Sequence, residues 1–414
     1  MASRSGGHWI PERWGVSDLS RSVGISVYPG QGCGSSDLGR AVEYVAAASR
    51  LGYRKVFTSL HITEQDPSEG AGFIGEITSA CRGLGLDVVA DVSPRAFEAM
   101  GATPTDLGPL AALGLSGIRL DFGYGIDEIS AMTRGASALA IVLNASTVDE
   151  KWLSSFAARG ADLSRVQACH NYYPRPETGL SMDFVVAKAG LLRRYGIPVW
   201  AFLPSGCGRR GPLHEGLPTV EQHRWSLISA SASAYLATGA ADVLLFGDPF
   251  ASTEELGVLS RLWLGGSIPL RVRLAPGVTE EERAIVFGGR HRNRTDAAEL
   301  AVRSSTSRGY AGKGPAIGPR MCAARPAFTV TIDNHLYLRY SGELQITAAD
   351  LPPDTRVNVV GRVVEEDWDL LRMLGPDAEF HFVDADHWAS ADGAPADECD
   401  ERAARAVGGT KGGS

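Results

Sequence analysis

Lysine is scarce in this 414-residue chain: Lys55, Lys151, Lys188, Lys313 and Lys411 are the only five, and every other basic side chain is arginine. Schiff-base and lysine-base chemistry therefore have few candidates. Cysteine is almost as sparse, and Cys33, Cys81, Cys169, Cys207, Cys322 and Cys399 form no C-x-x-C pair. That excludes a zinc ribbon, a dithiol redox motif and a dense disulfide framework, and points to a reducing, intracellular setting. No apolar run reaches the roughly 18 residues of a membrane span, and residues 1–20 lack the apolar core of a signal peptide. The expectation is a soluble, cytoplasmic protein with no membrane partner. Forty basic residues face forty-eight acidic ones, for a net charge of −8 with no basic block, so nucleic acid is not an expected partner either.

What is present is apolar material, 44% of the chain, enough for one large domain and a smaller one. Short apolar, β-branched runs predict eight strands at 24–28, 55–59, 86–92, 117–122, 138–144, 166–172, 197–203 and 242–246. Helix-length stretches separate them; in 37–51, Leu38, Val42, Val45 and Ala46 fall on one face. Gly52, Gly85, Gly114, Gly160, Gly196 and Gly239 each stand just before a strand, where the left-handed conformation that closes a helix costs glycine nothing. Eight such βα units have the size of a closed (β/α)8 barrel. A doubly wound sheet usually has fewer strands and a G-x-G-x-x-G after the first, which is missing here.

After Asp248 the pattern changes. A last helix over 252–264 leads to strand-like pieces at 270–274, 328–332, 336–340, 343–346 and 356–364, a compact and mostly β second domain. The expected division is a flexible segment 1–22, a barrel 23–266, a β domain 267–384 and a disordered tail 385–414.

Functional side chains of such a barrel stand where strands end. That rule gathers Ser26, Tyr28, His61, Asp91, Arg119, Asp121, Asn144, Ser146, the run His170-Asn171-Tyr172-Tyr173, Ser205 and Asp248. Two carboxylates at one mouth, Asp91 and Asp121, can divide acid from base or nucleophile duties. The structural alternative has Asp91 capping the next helix and Asp121 pairing with Arg119. The long loop 204–219 carries Arg209, Arg210, His214 and Glu215 and leads to Glu221-Gln222-His223-Arg224; Thr219 and Gln222 have capping-box spacing. Lys55 opens the second strand and so belongs at the bottom of the barrel. No H-x-H or H-E-x-x-H occurs, and no metal or cofactor is expected. In the second domain, 291–296 and 303–308 concentrate arginines and hydroxyls that suit either a phosphate or a solvated surface.

Several motifs, in this order along the chain, resemble the bacterial 6-phospho-N-acetylmuramidase family over about residues 23–383. They are Val27-Tyr28-Pro29, the segment 117–121, Cys169-His170-Asn171-Tyr172-Tyr173-Pro174 with Thr178-Gly179-Leu180, Gly211-Pro212 with Gly216-Leu217-Pro218-Thr219, and Glu221-Gln222-His223-Arg224. In the second domain they are Arg303-Ser304 with Ser307-Arg308, Gly342-Glu343-Leu344-Gln345-Ile346, and Val357-Asn358-Val359-Val360-Gly361.

The resemblance implies a (β/α)8 barrel followed by a cyclophilin-like β domain. It also implies exo-hydrolysis of the β-1,4 bond of a small phosphorylated amino-sugar disaccharide, 6-phospho-N-acetylmuramyl-N-acetylglucosamine, in cytoplasmic peptidoglycan recycling. Asp121 and Asp91 are then the expected catalytic carboxylates. Tyr28, Arg119, Asn144, His170, Asn171, Tyr173, Glu221 and His223 would hold the sugars, and Arg294, Arg303 and Arg308 the phosphate. The chain departs from the family pattern after Tyr28-Pro29, where Gly30 stands in place of a Glu, and Phe122 follows Asp121 where some relatives carry an acid. Two other readings stay open, a non-catalytic binding protein for phosphorylated muropeptide sugars and a metal-dependent barrel hydrolase or isomerase; a homo-oligomer is compatible with all three.

Overall fold

The computed structural model describes residues 21–29, 35–60, 67–307 and 317–386. Gly30, His61 and Arg308 lie outside the described residues, as does nearly all of the expected terminal segments 1–22 and 385–414.

Eight parallel strands close a barrel in chain order: β1 (Ser22–Ser26), β2 (Lys55–Ser59), β3 (Asp87–Val92), β4 (Gly117–Leu120), β5 (Ala140–Asn144), β6 (Val166–Cys169), β7 (Val199–Leu203) and β8 (Val243–Phe246). β1 pairs with both β2 and β8, which shuts the ring, and a helix lies in every connection. All six glycines expected at helix ends have positive φ, from 64° at Gly239 to 89° at Gly52. The strands occupy the apolar runs but stop earlier, at Leu120 and Cys169 for instance. Asp121 and Asn171 therefore stand just beyond the ladder, free of its pairing.

Strand alternation sends every second side chain inward. The inward set, Tyr28, Phe57, Val89, Val142, Cys169, Trp200, Phe202, Val243 and Leu245, packs as one buried cluster. Removing a large member such as Phe57, 1% exposed, would cost about 3–5 kcal/mol in lost burial and residual cavity. Lower in the ring a side chain has no room: a Cβ at Gly24 would lie 2.8 Å from Leu245 Cδ2 and 2.9 Å from Lys55 Cβ. Lys55 sits at the start of β2 and pairs with Asp87 at 2.5 Å, as its place in the sequence predicts.

The chain divides into two compact units, the second running on from Gly265 and taking in Ser233–Gly239 as well. The second carries β9 (Ile268–Leu274), β10 (His291–Arg292), β11 (Ala301–Arg303), β12 (Thr329–Asp333), β13 (Leu344–Thr347), β14 (Val357–Val363) and β15 (Glu379–Asp384) in the order β10-β15-β9-β14-β12-β13-β11. A bridge between Asn293 and Ser304 joins the two edges into a nearly closed, barrel-like sheet. The α/β fold class with a β second domain is thus the one expected. The piece at 336–340 is a correction, for it is a 3-10 segment, His335–Tyr340, and not a strand. Its alternating leucines are not a buried face, since Leu336 and Leu338 are 46% and 80% exposed. The Asn334 side chain accepts from Leu336 N at 3.1 Å and starts the turn instead.

Candidate active site

Four neighbouring strands supply one hydrogen-bonded cluster at the mouth. Asp91 on β3 is in register with Arg119 on β4, and Arg119 with Val142 on β5. Asp121 and Asn144 lie two residues beyond Arg119 and Val142, so all point inward. Arg119 is 3% exposed. Its Nη1 donates to Asp91 Oδ1 at 3.0 Å, and its Nη2 donates to Asp121 Oδ1 at 3.3 Å and to Asn171 Oδ1. Asn144 Nδ2 donates to the same Asp121 oxygen at 2.7 Å, while Asn144 Oδ1 accepts from Ser146 N at 3.0 Å. Ser146 Oγ accepts from Asn171 N at 3.2 Å and bonds His170 Nδ1 at 3.1 Å.

The pairing of Asp121 with Arg119 expected as an alternative is thus present, and it places the carboxylate within the cluster. Capping by Asp91 is not present; Ser93 Oγ accepts from Ala96 N at 3.3 Å and takes that duty. Both donors reach Asp121 Oδ1, and the side chain keeps 35% of its surface exposed. Burial opposes the charge on Arg119, but nearby carboxylates, led by Asp91, outweigh it and hold the guanidinium well above its ordinary range. Burial pushes His170 down to about 3, so it is a neutral hydrogen-bonding group at physiological pH.

The other side of the mouth is aromatic. Tyr28 OH donates to Gly247 O at 2.9 Å, tying the end of β1 to the end of β8. Its ring meets Phe57 and Tyr172 edge-on at 6.5 and 6.4 Å, and Tyr172 meets Phe202 at 5.2 Å. The Arg210 guanidinium lies 3.9 Å over the Tyr28 ring, and Arg210 Nη1 donates to Tyr172 OH at 2.9 Å. The loop that carries Arg210 is held by Asp248, which is fully buried and accepts from Ser205 N at 3.0 Å, Arg210 N at 3.0 Å and Leu217 N at 3.1 Å. Burial raises the Asp248 carboxyl above its usual value against the pull of those three amides.

Glu221 is occupied elsewhere. Its carboxylate accepts from Glu177 N at 2.9 Å and Gly179 N at 2.7 Å, and from Arg224 Nε and Nη2, each at 2.7 Å. The bonds from Arg224 hold it down to about 2. Arg224, 1% exposed, also donates to the carbonyls of Tyr173, Arg175, Glu215 and Gly216. This pair clasps the loops after β6 and β7 together. The expected capping box at Thr219 and Gln222 is absent: Thr219 Oγ1 accepts from Phe202 N at 2.9 Å and donates to Asn171 O at 2.9 Å, supporting the loop of the cluster instead. His223 is buried, which pushes it down to about 4.

In the second unit, Arg294 forms a two-bond pair with Asp296 at 2.6 and 2.7 Å. Arg303 grips buried Glu343 at 2.8 and 2.6 Å. Both guanidinia thus already hold carboxylates. Among the described residues no three His, Cys, Asp or Glu side chains gather as metal ligands would, and no helix is long and apolar enough to cross a membrane. Cys207 is disulfide-bonded, whereas Cys81, Cys169 and Cys322 are free. The place of Arg210 in the mouth and the loop-holding duty of Asp248 depend on tertiary contacts; the local signals were only a basic pair with no acid before Glu215 and a Gly-Asp at the end of β8.

The 6-phospho-N-acetylmuramidase family matches the chain twice, its N-terminal part over residues 23–261 and its C-terminal part over 268–383. A solved structure of an uncharacterized B. cereus protein is 31% identical, with a TM-score of 0.73, covering 88% of this chain and all of that one. A conserved protein of unknown function from Enterococcus faecalis is also 31% identical, with a TM-score of 0.60, covering 92% of this chain and 99% of that one. No curated protein matches. With both halves matched across nearly all of the barrel and the β domain, the chain belongs to the 6-phospho-N-acetylmuramidase family.

Proposed function

We propose that the protein is a glycosidase that hydrolyses the β-1,4 bond of 6-phospho-N-acetylmuramyl-N-acetylglucosamine in cytoplasmic recycling of peptidoglycan fragments. The observation that carries this reading is the pair of carboxylates set on one buried guanidinium at the barrel mouth, Asp91 on Nη1 and Asp121 on Nη2. Glycoside hydrolysis needs two such groups beside the scissile bond, one to give a proton to the leaving oxygen and one to stabilise or attack the oxocarbenium-like centre. Asp121, the more exposed of the two, is the group that reaches the glycosidic oxygen: as the C1–O bond breaks, its carboxylic-acid proton passes to the leaving oxygen, and a water then adds to C1 and returns a proton to the Asp121 carboxylate. Asp91, less exposed and fixed by Arg119, supplies the negative charge beside C1. Asn144 and Asn171 fix the alignment from either side.

The test is turnover of the phosphorylated disaccharide, followed by mass spectrometry, for the native protein and for Asp121→Asn. A fall of about 10²–10⁴ is expected for loss of a general acid or base, with the thermal melt unchanged within a few degrees. Near-native turnover by a folded Asp121→Asn protein would remove Asp121 from the reaction. Failure of the native protein to cleave the disaccharide would remove the reading altogether.

A further inference from the structure

The carboxylate cluster creates a difficulty for a phosphorylated substrate. Arg119, the cation of that cluster, is already neutralised by Asp91, and a phosphate monoester brings between one and two further negative charges. The phosphate must then sit away from that wall, on a cation that is not already neutralised. Arg119, Arg224 and Arg303 all fail this condition, being paired with Asp91, Glu221 and Glu343 respectively.

Arg210 meets it. Among the described residues no carboxylate lies within ion-pair distance of its guanidinium, and its buried Nε has no hydrogen-bond partner. Its contacts are the face of Tyr28 and the hydroxyl of Tyr172. Burial works against its charge, yet the neighbouring tyrosines keep it above its ordinary range, so it stays a cation. Its main chain is fixed, with N donating to Asp248 Oδ1 at 3.0 Å and O accepting from His214 N at 3.2 Å. Tyr172 OH accepts from Arg210, which leaves its own proton available for an anion. Tyr172 is also the next residue after Asn171, which Arg119 holds, so the cation and the carboxylates are joined through adjacent residues of one loop.

We infer that Arg210, with the hydroxyl of Tyr172, is the phosphate-monoester subsite of the barrel mouth. The guanidinium edge supplies parallel charge-assisted N–H donors and Tyr172 a third, O–H donor. That Arg210 and Tyr172 are placed for an anion stands on their geometry; that the anion is the phosphate of a 6-phosphosugar rests on the function proposed above.

Two measurements separate these claims. The first is kcat/KM on the phosphorylated disaccharide divided by kcat/KM on its unphosphorylated counterpart, for the native protein, Arg210→Met, Arg210→Lys and Tyr172→Phe. The ratio should fall on the order of 100-fold in Arg210→Met, chiefly through KM, and about tenfold in Tyr172→Phe, which keeps the ring packing. Arg210→Lys, a charge without the fork, should fall between them; it carries the test if the methionine variant does not fold. The second is the thermal shift given by 6-phospho-N-acetylmuramic acid against N-acetylmuramic acid, which requires no turnover. A shift specific to the phosphosugar in the native protein and lost in Arg210→Met supports the subsite even if neither disaccharide is cleaved. A native ratio and a native shift in Arg210→Met would overturn it.

Discussion

Asp91 and Asp121 accept from the two Nη atoms of one guanidinium, so a displacement of either strand end disturbs the alignment of both carboxylates. That shared partner turns two acids on separate strands into one rigid group.

Removal of the partner should show in stability before it shows in chemistry. Arg119→Met leaves Asp91, with its side chain 16% exposed, without its buried counter-charge, a change that typically costs about 3–5 kcal/mol. The melt should fall on the order of 10 °C, and turnover should be lost with it. A melt within a degree or two of the native one would mean that the carboxylates do not depend on Arg119.

Glu221 was expected to hold sugar, and its geometry assigns it to Arg224 and two backbone amides. Glu221→Ala should therefore destabilise by about 3 kcal/mol, since Arg224 is buried and left with carbonyls only. The sign with pH follows from a carboxyl held at about 2 in the folded protein and near 4.3 when unfolded. Its contribution is complete above about pH 4.5 and disappears as pH falls toward 2. Melts at pH 7 and pH 2.5 should show the gap between native and variant narrowing; a constant gap would rule out the ion pair as its origin.

Asp333 in the second unit behaves in the opposite sense. Burial, then Glu343, raise its carboxyl to about 7, so between about pH 4 and pH 7 the folded protein keeps a proton that the unfolded chain has released. Stability contributed by this group falls as pH rises through that window. Asp333→Asn should gain on the order of 5 °C over the native protein at pH 8 and nothing at pH 4. Equal differences at both values would show that Asp333 titrates normally.

Gly123 closes the turn two residues after Asp121. Its φ is +86°, and a Cβ there would meet Pro94 Cγ at 2.4 Å. Gly123→Ala must shift that turn, at a cost of about 1–3 kcal/mol, and kcat should fall more than the melt alone explains, because Asp121 moves with it. Native kinetics in a soluble Gly123→Ala protein would show that the turn does not set the carboxylate.

The barrel was legible in the chain because its signals are local: apolar runs of strand length and a glycine before each new strand. Asp91, Arg119, Asp121, Asn144 and Asn171 could be gathered from one topological rule, that strand ends point to a common mouth. Partner choice was not legible in the same way. Thr219 has capping-box spacing, but Phe202 N and Asn171 O, distant in sequence, claim its hydroxyl. Leu336 and Leu338 alternate like a strand, yet the Asn334 side chain bends the chain before any pairing can form. The helix Glu280–Phe287 has a readable start, since Thr279 and Glu282 form a true capping box, and β15 alternates Phe380 and Phe382 with other residues; both signals are local.

The mouth has two unlike sides, carboxylates and amides from β3 to β6 against the ring of Tyr172, which rests on the buried rings of Tyr28, Phe57 and Phe202. A pyranose likewise has an edge of hydroxyls and a face of C–H groups. Turning such a ring over at this mouth would press hydroxyls on the Tyr172 ring and C–H groups on the acids, losing both sets of contacts at once. The two sides thus act as a compass: the direction of a bound sugar is decided before any bond is strained.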